Sequence, residues 1–392
     1  MDLRFTEEQE AFRSELRRWL ADHLERPWQD EVRRLGRDED ALFEVRRRWQ
    51  RKLDEAGYLG MGWPPEWGGR GASAVEQAIL EEELQRADAP TIPNTLGVGL
   101  LGPALIHHGT EAQRRRFIPK MLSCEEVWCQ GFSEPGAGSD LASLRTRAEP
   151  DGDDFRITGQ KVWTTFGPWA DWIFVLARTD LQDRYGGITF FLVPLDQPGV
   201  EVRGIKQATG ESEFGETFFD GALARREHIV GRVGEGWRVA MTLLGYERGA
   251  SALSYPAQND RYLDSIVAVL REQGRLERPD VRETLGRLVV ENEVMRANGL
   301  RTLATLAEGV APGPESSIEK IFWSEYAQRQ ADAALDLLGP QGQLSLEAPR
   351  AVPHMNWPRE YLWSRAGTIY SGSSEIQRNI IAKRVLQLPT KR

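Results

Sequence analysis

Residues 130–140 read Gln-Gly-Phe-Ser-Glu-Pro-Gly-Ala-Gly-Ser-Asp, and residues 159–165 follow with Gly-Gln-Lys-Val-Trp-Thr-Thr. This ordered pair of segments limits what the chain can become more than any other feature. Glycine backbone at 136 and 138 can approach a planar or anionic ligand closely, because no Cβ stands between. Hydroxyls at Ser133, Ser139 and Thr165 offer hydrogen-bond donors, and Trp163 offers an aromatic wall. Either half alone says little, since Gly-Ala-Gly-Ser fits any tight loop and a Trp in a strand is usually core. Together they describe a site for a polar heteroaromatic cofactor.

Bulk properties narrow the class of molecule around that site. A chain of 392 residues has room for two to three domains at roughly 100–200 residues each. Fifty Lys plus Arg against fifty-nine Asp plus Glu leave a net charge of −9, which gives no general nucleic-acid or anionic-membrane surface, although a local basic pocket stays open. No apolar run has the length of a membrane span, and Met1-Asp2-Leu3-Arg4-Phe5 lacks the apolar core of a signal peptide, so a cytoplasmic protein is expected. The only cysteines, Cys124 and Cys129, have no neighbouring His pair; they make neither a disulfide framework nor a zinc site and are expected to be small buried residues. No metal ligands are assigned.

The periodicity runs from helical to strand-rich and back. Thr6-Glu7-Glu8-Gln9 forms a capping box before Phe12, Leu16, Trp19 and Leu20 at helical spacing. Helices are predicted over 42–56, 75–87 and 110–122, with a Gly/Pro/Trp-rich connector from Gly60 to Gly71. From about residue 127 the pattern turns to strands at 155–165, 172–178, 188–195 and 200–205, punctuated by Asp-Gly-Asp, Gly-Gly and Pro-Gly turns. After Gly234-Glu235-Gly236 a stripe of Trp237, Ala240, Met241 and Leu244 restarts the helical period, which recurs over 258–273, 279–307 and 315–338. A last helix opens at Ser374, with Gln377 completing a capping box.

The 130–140 loop and the Trp163-Thr164-Thr165 strand resemble the acyl-CoA dehydrogenase family of flavoenzymes, whose middle domain carries such a loop followed by a Trp-x-Thr strand. The order of elements is similar to that family over nearly the whole chain. The resemblance implies an α+β multidomain fold: an N-terminal helical domain (1–126), a middle β-barrel-like domain (127–233) and a C-terminal four-helix bundle (234–392). It implies FAD as cofactor, held by Gln130, Phe132, Ser133, Gly138, Ser139, Trp163 and Thr165, with Ser373 and Glu375 of the last helix also beside the flavin. It implies an acyl-CoA substrate touched by Ser139, Arg248 and Ser371, the last through its backbone amide at the thioester oxygen. Electrons would pass on to an electron-transfer flavoprotein.

Dehydrogenation of a thioester needs a base for the α proton and an acceptor for the β hydride. In the best-known members the base is a Glu in a C-terminal Tyr-Glu-Gly-Thr segment; this chain reads Tyr370-Ser371-Gly372-Ser373 there. A hydroxyl cannot replace that carboxylate without a second group to take its proton. A minority of the family carries the base on the first long C-terminal helix, directly before an arginine, and Tyr246-Glu247-Arg248 stands at that place. Glu247 also follows Leu244 by three positions and so continues the apolar stripe. It is the expected catalytic base. Glu375 is the rival, in a first helical turn where acidic residues are favoured by the helix dipole alone.

Two departures concern the far end of the cofactor. The Arg-x-x-Phe-Gly segment that many relatives use across a subunit boundary is missing from residues 257–280, and Asp336 stands where a Gln is expected. A closed homotetramer is the expected assembly, with a mixed tetramer containing a related chain as the alternative. Two other readings keep the fold: a flavin oxidase or monooxygenase that uses oxygen, and a non-catalytic partner subunit.

Overall fold

The computed structural model describes residues 4–246, 253–310, 313–353 and 355–389. The chain opens with helices α1 (Glu7–His23), α2 (Trp28–Leu35), α3 (Glu39–Glu55), α4 (Ala74–Arg86), α5 (Gly102–His108) and α6 (Glu111–Leu122). Strands β1 (Trp128–Gly131), β2 (Arg147–Asp151), β3 (Asp154–Thr165), β4 (Trp172–Arg178), β5 (Ile188–Pro194), β6 (Val200–Ile205) and β7 (Phe214–Ala224) follow. Helices α7 (Gly236–Tyr246), α8 (Ser254–Glu272), α9 (Pro279–Ala307), α10 (Ser316–Leu338), α11 (Trp357–Gly367) and α12 (Ser374–Ile380) complete it. The expected α+β order, helical then β then helical, is what forms. Among the described residues no helix is long and apolar enough to cross a membrane.

Two compact units divide the chain. One takes residues 1–38, 73–90 and 248–392, the other 39–72 and 91–247.

The first unit is all helical. Thr6 caps α1, accepting from the Gln9 amide at 3.2 Å while the Gln9 side chain accepts from the Thr6 amide at 2.9 Å, so the capping box forms as read. The α8, α9 and α10 helices bury Ile266, Leu270, Val281, Tyr326 and Ala334 against one another and against Trp357 of α11. A charged network ties the early helices together: the Arg13 guanidinium of α1 donates to Glu82 and Glu83 of α4, both at 2.7 Å, and all three side chains are buried. Gly339, at φ 58°, ends α10, the one conformation there that favours glycine.

The second unit carries the sheet. Its order is β1-β4-β2-β3-β7-β6, with β5 on β4. Strands β2, β3, β7 and β6 form antiparallel pairs in that order, whereas β1 lies parallel to β4. Strands β4 and β5 are buried along nearly their whole length, which explains their unbroken apolar sequences. Strand β7 escapes the sequence pattern, because Gly215, Asp220 and Gly221 interrupt it; its long ladder with β3 supplies the order that propensity does not. Helix α7 packs on β5 through Val239, Ala240 and Leu243, all buried. The predicted stripe of Trp237, Ala240, Met241 and Leu244 is therefore displaced: Met241 is 41% exposed, and the face covered by the sheet sits one position earlier. Cys124 and Cys129 are free and buried, and burial pushes their thiols up, that of Cys124 to about 11.

Candidate active site

Strand β1 delivers the chain into the glycine loop. Gln130 ends with a buried amide nitrogen that has no hydrogen-bond partner. Phe132 is buried, its ring edge-on to Phe174 at 5.8 Å and to Phe190 at 6.1 Å, so it offers a ligand only main chain. The loop then turns tightly. The Glu134 amide donates to the Ala137 carbonyl at 2.9 Å, and the Ala137 amide donates back to Glu134 at 3.0 Å. A methyl group placed on Gly136 or Gly138 meets no protein atom within 4 Å, and Ser139 is exposed. The bare backbone thus faces open space.

Strand β3 stands beside this loop: the Val162 amide donates to the Ser133 carbonyl at 3.0 Å. The β3–β7 register slips between Val162 and Thr164, and Trp163 sits at that bulge with φ 62° and 57% exposure. The bulge thus turns the indole outward, beside the glycine loop. Thr165, half-buried, follows it.

Sequence reading missed what lies beneath. Lys161 is fully buried, and its ammonium donates to Glu134 at 2.8 Å and to the Phe132 carbonyl at 3.2 Å. The Glu134 carboxylate also accepts the amides of Arg145 at 2.6 Å and Thr146 at 2.9 Å. Burial lowers the lysine to about 8 despite the carboxylate beside it. Burial would raise Glu134, but Lys161, Thr146 and the Arg145 amide outweigh it and the carboxyl ends below its ordinary value. The signal was available. Phe155, Ile157 and Lys161 share one parity on β3, so alternation points the lysine inward, where a charge needs a partner.

A second feature comes from the same segment. Past the loop, a cavity of about 600 Å³ is lined by Leu144, Arg145, Arg147, Arg178, Leu181 and Arg184 among others. Arg178 is committed to the carbonyls of Ala142, Leu144, Asp183 and Arg184, and Arg184 pairs with Asp140 at 2.6 Å. Among the described residues, no carboxylate pairs with Arg145 or Arg147, both exposed. The acidic chain therefore keeps a basic pocket next to the glycine loop.

Ser371, Ser373 and Glu375 belong to the first unit. Ser371, at φ 50°, and Gly372, at φ 86°, form a left-handed turn whose carbonyls accept from the Gln377 side chain at 3.0 and 3.4 Å. The cap of α12 is Ser373, not Ser374: its hydroxyl accepts from the Ile376 amide at 3.4 Å, while Ser374 is the first helical residue and buried. One position separates the two because the left-handed pair at 371–372 sets where helical dihedrals begin. Glu375 is exposed, and its own backbone amide and the Ser373 hydroxyl hold its carboxyl below the ordinary value. Tyr370 packs against Trp323, 6.1 Å between ring centroids. Asp336 is exposed on the last turn of α10. Glu247 and Arg248, the expected base and its neighbour, lie outside the described residues.

Comparison with known proteins decides the family. Models of the acyl-CoA dehydrogenase N-terminal, middle and C-terminal domains match residues 6–125, 129–222 and 234–386. The chain belongs to the acyl-CoA dehydrogenase family. Within it, the chain is 45% identical over 387 residues to acyl-CoA dehydrogenase IpdE1 of Mycobacterium tuberculosis, covering 97% of this chain and 98% of that one. Among solved structures it is similar to the Tcur3481-Tcur3483 steroid ACAD, at TM-score 0.90 and 32% identity with complete coverage of both chains. It is also similar to the ChsE4-ChsE5 complex of Mycobacterium tuberculosis, at TM-score 0.86 and 29% identity, again with complete coverage of both. This acyl-CoA dehydrogenase family member is accordingly an oxidoreductase.

Proposed function

We propose that this chain catalyses FAD-dependent α,β-dehydrogenation of an acyl-CoA thioester. The observation that carries the reading is the glycine loop with open space over Gly136 and Gly138, flanked by an outward Trp163 and by the unpartnered amide of Gln130. Those residues fit a flavin: bare backbone for close approach, an aromatic wall, and a buried donor in need of an acceptor. Gln130, the Phe132 main chain, Ser133, Gly138, Ser139, Trp163 and Thr165 would hold FAD, joined by Ser373 and Glu375. When bound, FAD supplies the hydride acceptor.

Glu247 takes the α proton of the substrate, and the Ser371 amide donates to the thioester oxygen, stabilising the negative charge that develops there. The state of Glu375 supports this choice of base. An exposed carboxyl held below its ordinary value is a weak proton acceptor, whereas thioester chemistry needs one that is raised. The free guanidinium groups of Arg145 and Arg147 give an anionic carrier such as coenzyme A a place to leave its charge. Rapid anaerobic mixing with acyl-CoA thioesters tests the function. Bleaching of the flavin with enoyl-CoA formed in equal amount is the expected result, and a flavin that stays oxidised against every thioester overturns it.

The acyl group is bulky and ring-bearing in this reading, and the supporting fact is the similarity to a protein named a steroid ACAD. A thioester panel with an artificial electron acceptor tests it, and a preference for straight chains counts against it. The physiological acceptor is an electron-transfer flavoprotein. Two of the similar structures are named as pairs of proteins, which favours a mixed assembly with a related chain over the homotetramer. Light scattering on the chain expressed alone and with a related subunit distinguishes the two.

A further inference from the structure

A buried ion pair rarely adds stability. Taking two charges out of water costs several kcal/mol per ion, and an apolar pair of like volume often serves the fold as well. Lys161 and Glu134 are 0% and 7% exposed in their side chains, and the other buried polar side chains of their unit are neutral. Their bonding shows what such a pair does here. Apart from each other, the two side chains hold main chain at three points: the Phe132 carbonyl, the Arg145 amide and the Thr146 amide. Residues 132–134 and 145–146 are the two feet of the glycine loop, and Lys161 lies two positions before the bulged Trp163. A methionine and leucine in place of the pair would fill the volume and hold none of these.

We infer that Lys161 and Glu134 are positioning residues for the flavin, clamping both feet of the glycine loop to the strand that presents Trp163 so that the empty site is already shaped for the cofactor. The inference rests on the flavin reading above. Without the clamp, the loop must be ordered at the moment of binding, and that cost appears as weaker affinity. Neither side chain touches the cofactor; both act through backbone.

Titration of deflavinated protein with FAD, followed by flavin fluorescence quenching well below the melting temperature, tests this. Three variants are compared with the parent: K161M, E134Q, and V193A as a control that opens a cavity in the same apolar core. K161M and E134Q are expected to bind FAD at least about tenfold more weakly, while V193A lowers the melting temperature and leaves the dissociation constant within about twofold. E134Q keeps the shape of the native side chain and carries the test if K161M does not fold. Parental FAD affinity in E134Q, or an equal loss of affinity in V193A, overturns the inference. A parent chain that takes up no FAD either alone or assembled with the related subunit overturns the flavin reading instead, and the two failures are told apart by that first measurement.

Discussion

Trp163 stands edge-on to Phe214, their ring centroids 6.1 Å apart, across a slip in the β3–β7 ladder that leaves the indole turned outward. Phe214 opens β7 and steadies the ring from one side, so the free face is held in one orientation. A rigid, half-uncovered indole is costly to leave in water and is pre-organised for a flat ligand. Trp163→Ala is expected to lower flavin affinity by about 0.5–1.5 kcal/mol, near the worth of one aromatic stack, with the melting temperature of the flavin-free protein unchanged; equilibrium titration with FAD and thermal melts of the flavin-free protein read the two arms.

Gly138 gives a cleaner probe of the loop. Because a Cβ there meets no protein atom within 4 Å and the position is exposed, Gly138→Leu should leave the fold intact and act on whatever occupies that space. The expected outcome is a colourless protein with parental far-ultraviolet dichroism. Full flavin occupancy in this variant would place the cofactor elsewhere.

For the base, Glu247→Gln is expected to bind acyl-CoA and to reduce flavin at least about a thousandfold more slowly, the scale of losing a general base. Glu375→Gln should change the rate less than about tenfold, since that carboxylate is exposed and ionised. Stopped-flow flavin reduction under anaerobic conditions separates them, and the reverse ranking would transfer the role to Glu375.

The charge network of the helical unit predicts stability. Arg13→Met removes the cation that Glu82 and Glu83 share and leaves two carboxylates buried beside each other. Glu82 keeps Arg86 at 2.8 Å and Glu83 keeps Arg17 at 2.7 Å, so the expected loss is about 1–3 kcal/mol, the cost of losing hydrogen bonds to charged groups. Chemical denaturation measures it, and a loss below about 1 kcal/mol would mean that Arg17, 2.7 Å from Glu83, takes over.

Glu81 predicts a pH dependence. Burial raises its carboxyl to about 7, and no partner offsets this. The folded state then holds a proton that the unfolded state has already released, so this group's contribution to stability is greatest below pH 4.5 and falls as pH rises towards 7. Glu81→Gln should remove that slope and stabilise the protein at pH 8 by roughly 1–3 kcal/mol. Melting curves from pH 5 to 8 on both proteins decide it; parallel curves would refute the assignment.

What the sequence disclosed follows from how local each signal was. Helix α1 and strands β4 and β6 were legible because capping and turn residues bound them on the spot. Helix α2 starts after Pro27 with no side-chain cap, and the turn before α5 is rich in glycine; packing makes both. In the site, the glycine loop and Trp163 were readable because their chemistry is unusual at short range. The Lys161–Glu134 pair was not, since it becomes visible only when strand parity is set against a residue 27 positions away. The same holds for the pocket between Arg145, Arg147 and the segment from Arg178 to Arg184.

The division of the chain has a consequence for how it is made. The unit holding the sheet is complete in sequence by residue 247, whereas the other joins 1–38 and 73–90 to segments beginning at 248. Emerging from a ribosome, α1 can pack on α4 early, but the face of α4 that α8 and α9 cover must wait until those helices have been translated. Such long-range closure slows folding and exposes the nascent chain to aggregation. A premature stop just after residue 247 would therefore spare the sheet-bearing unit and leave α4 without α8 and α9.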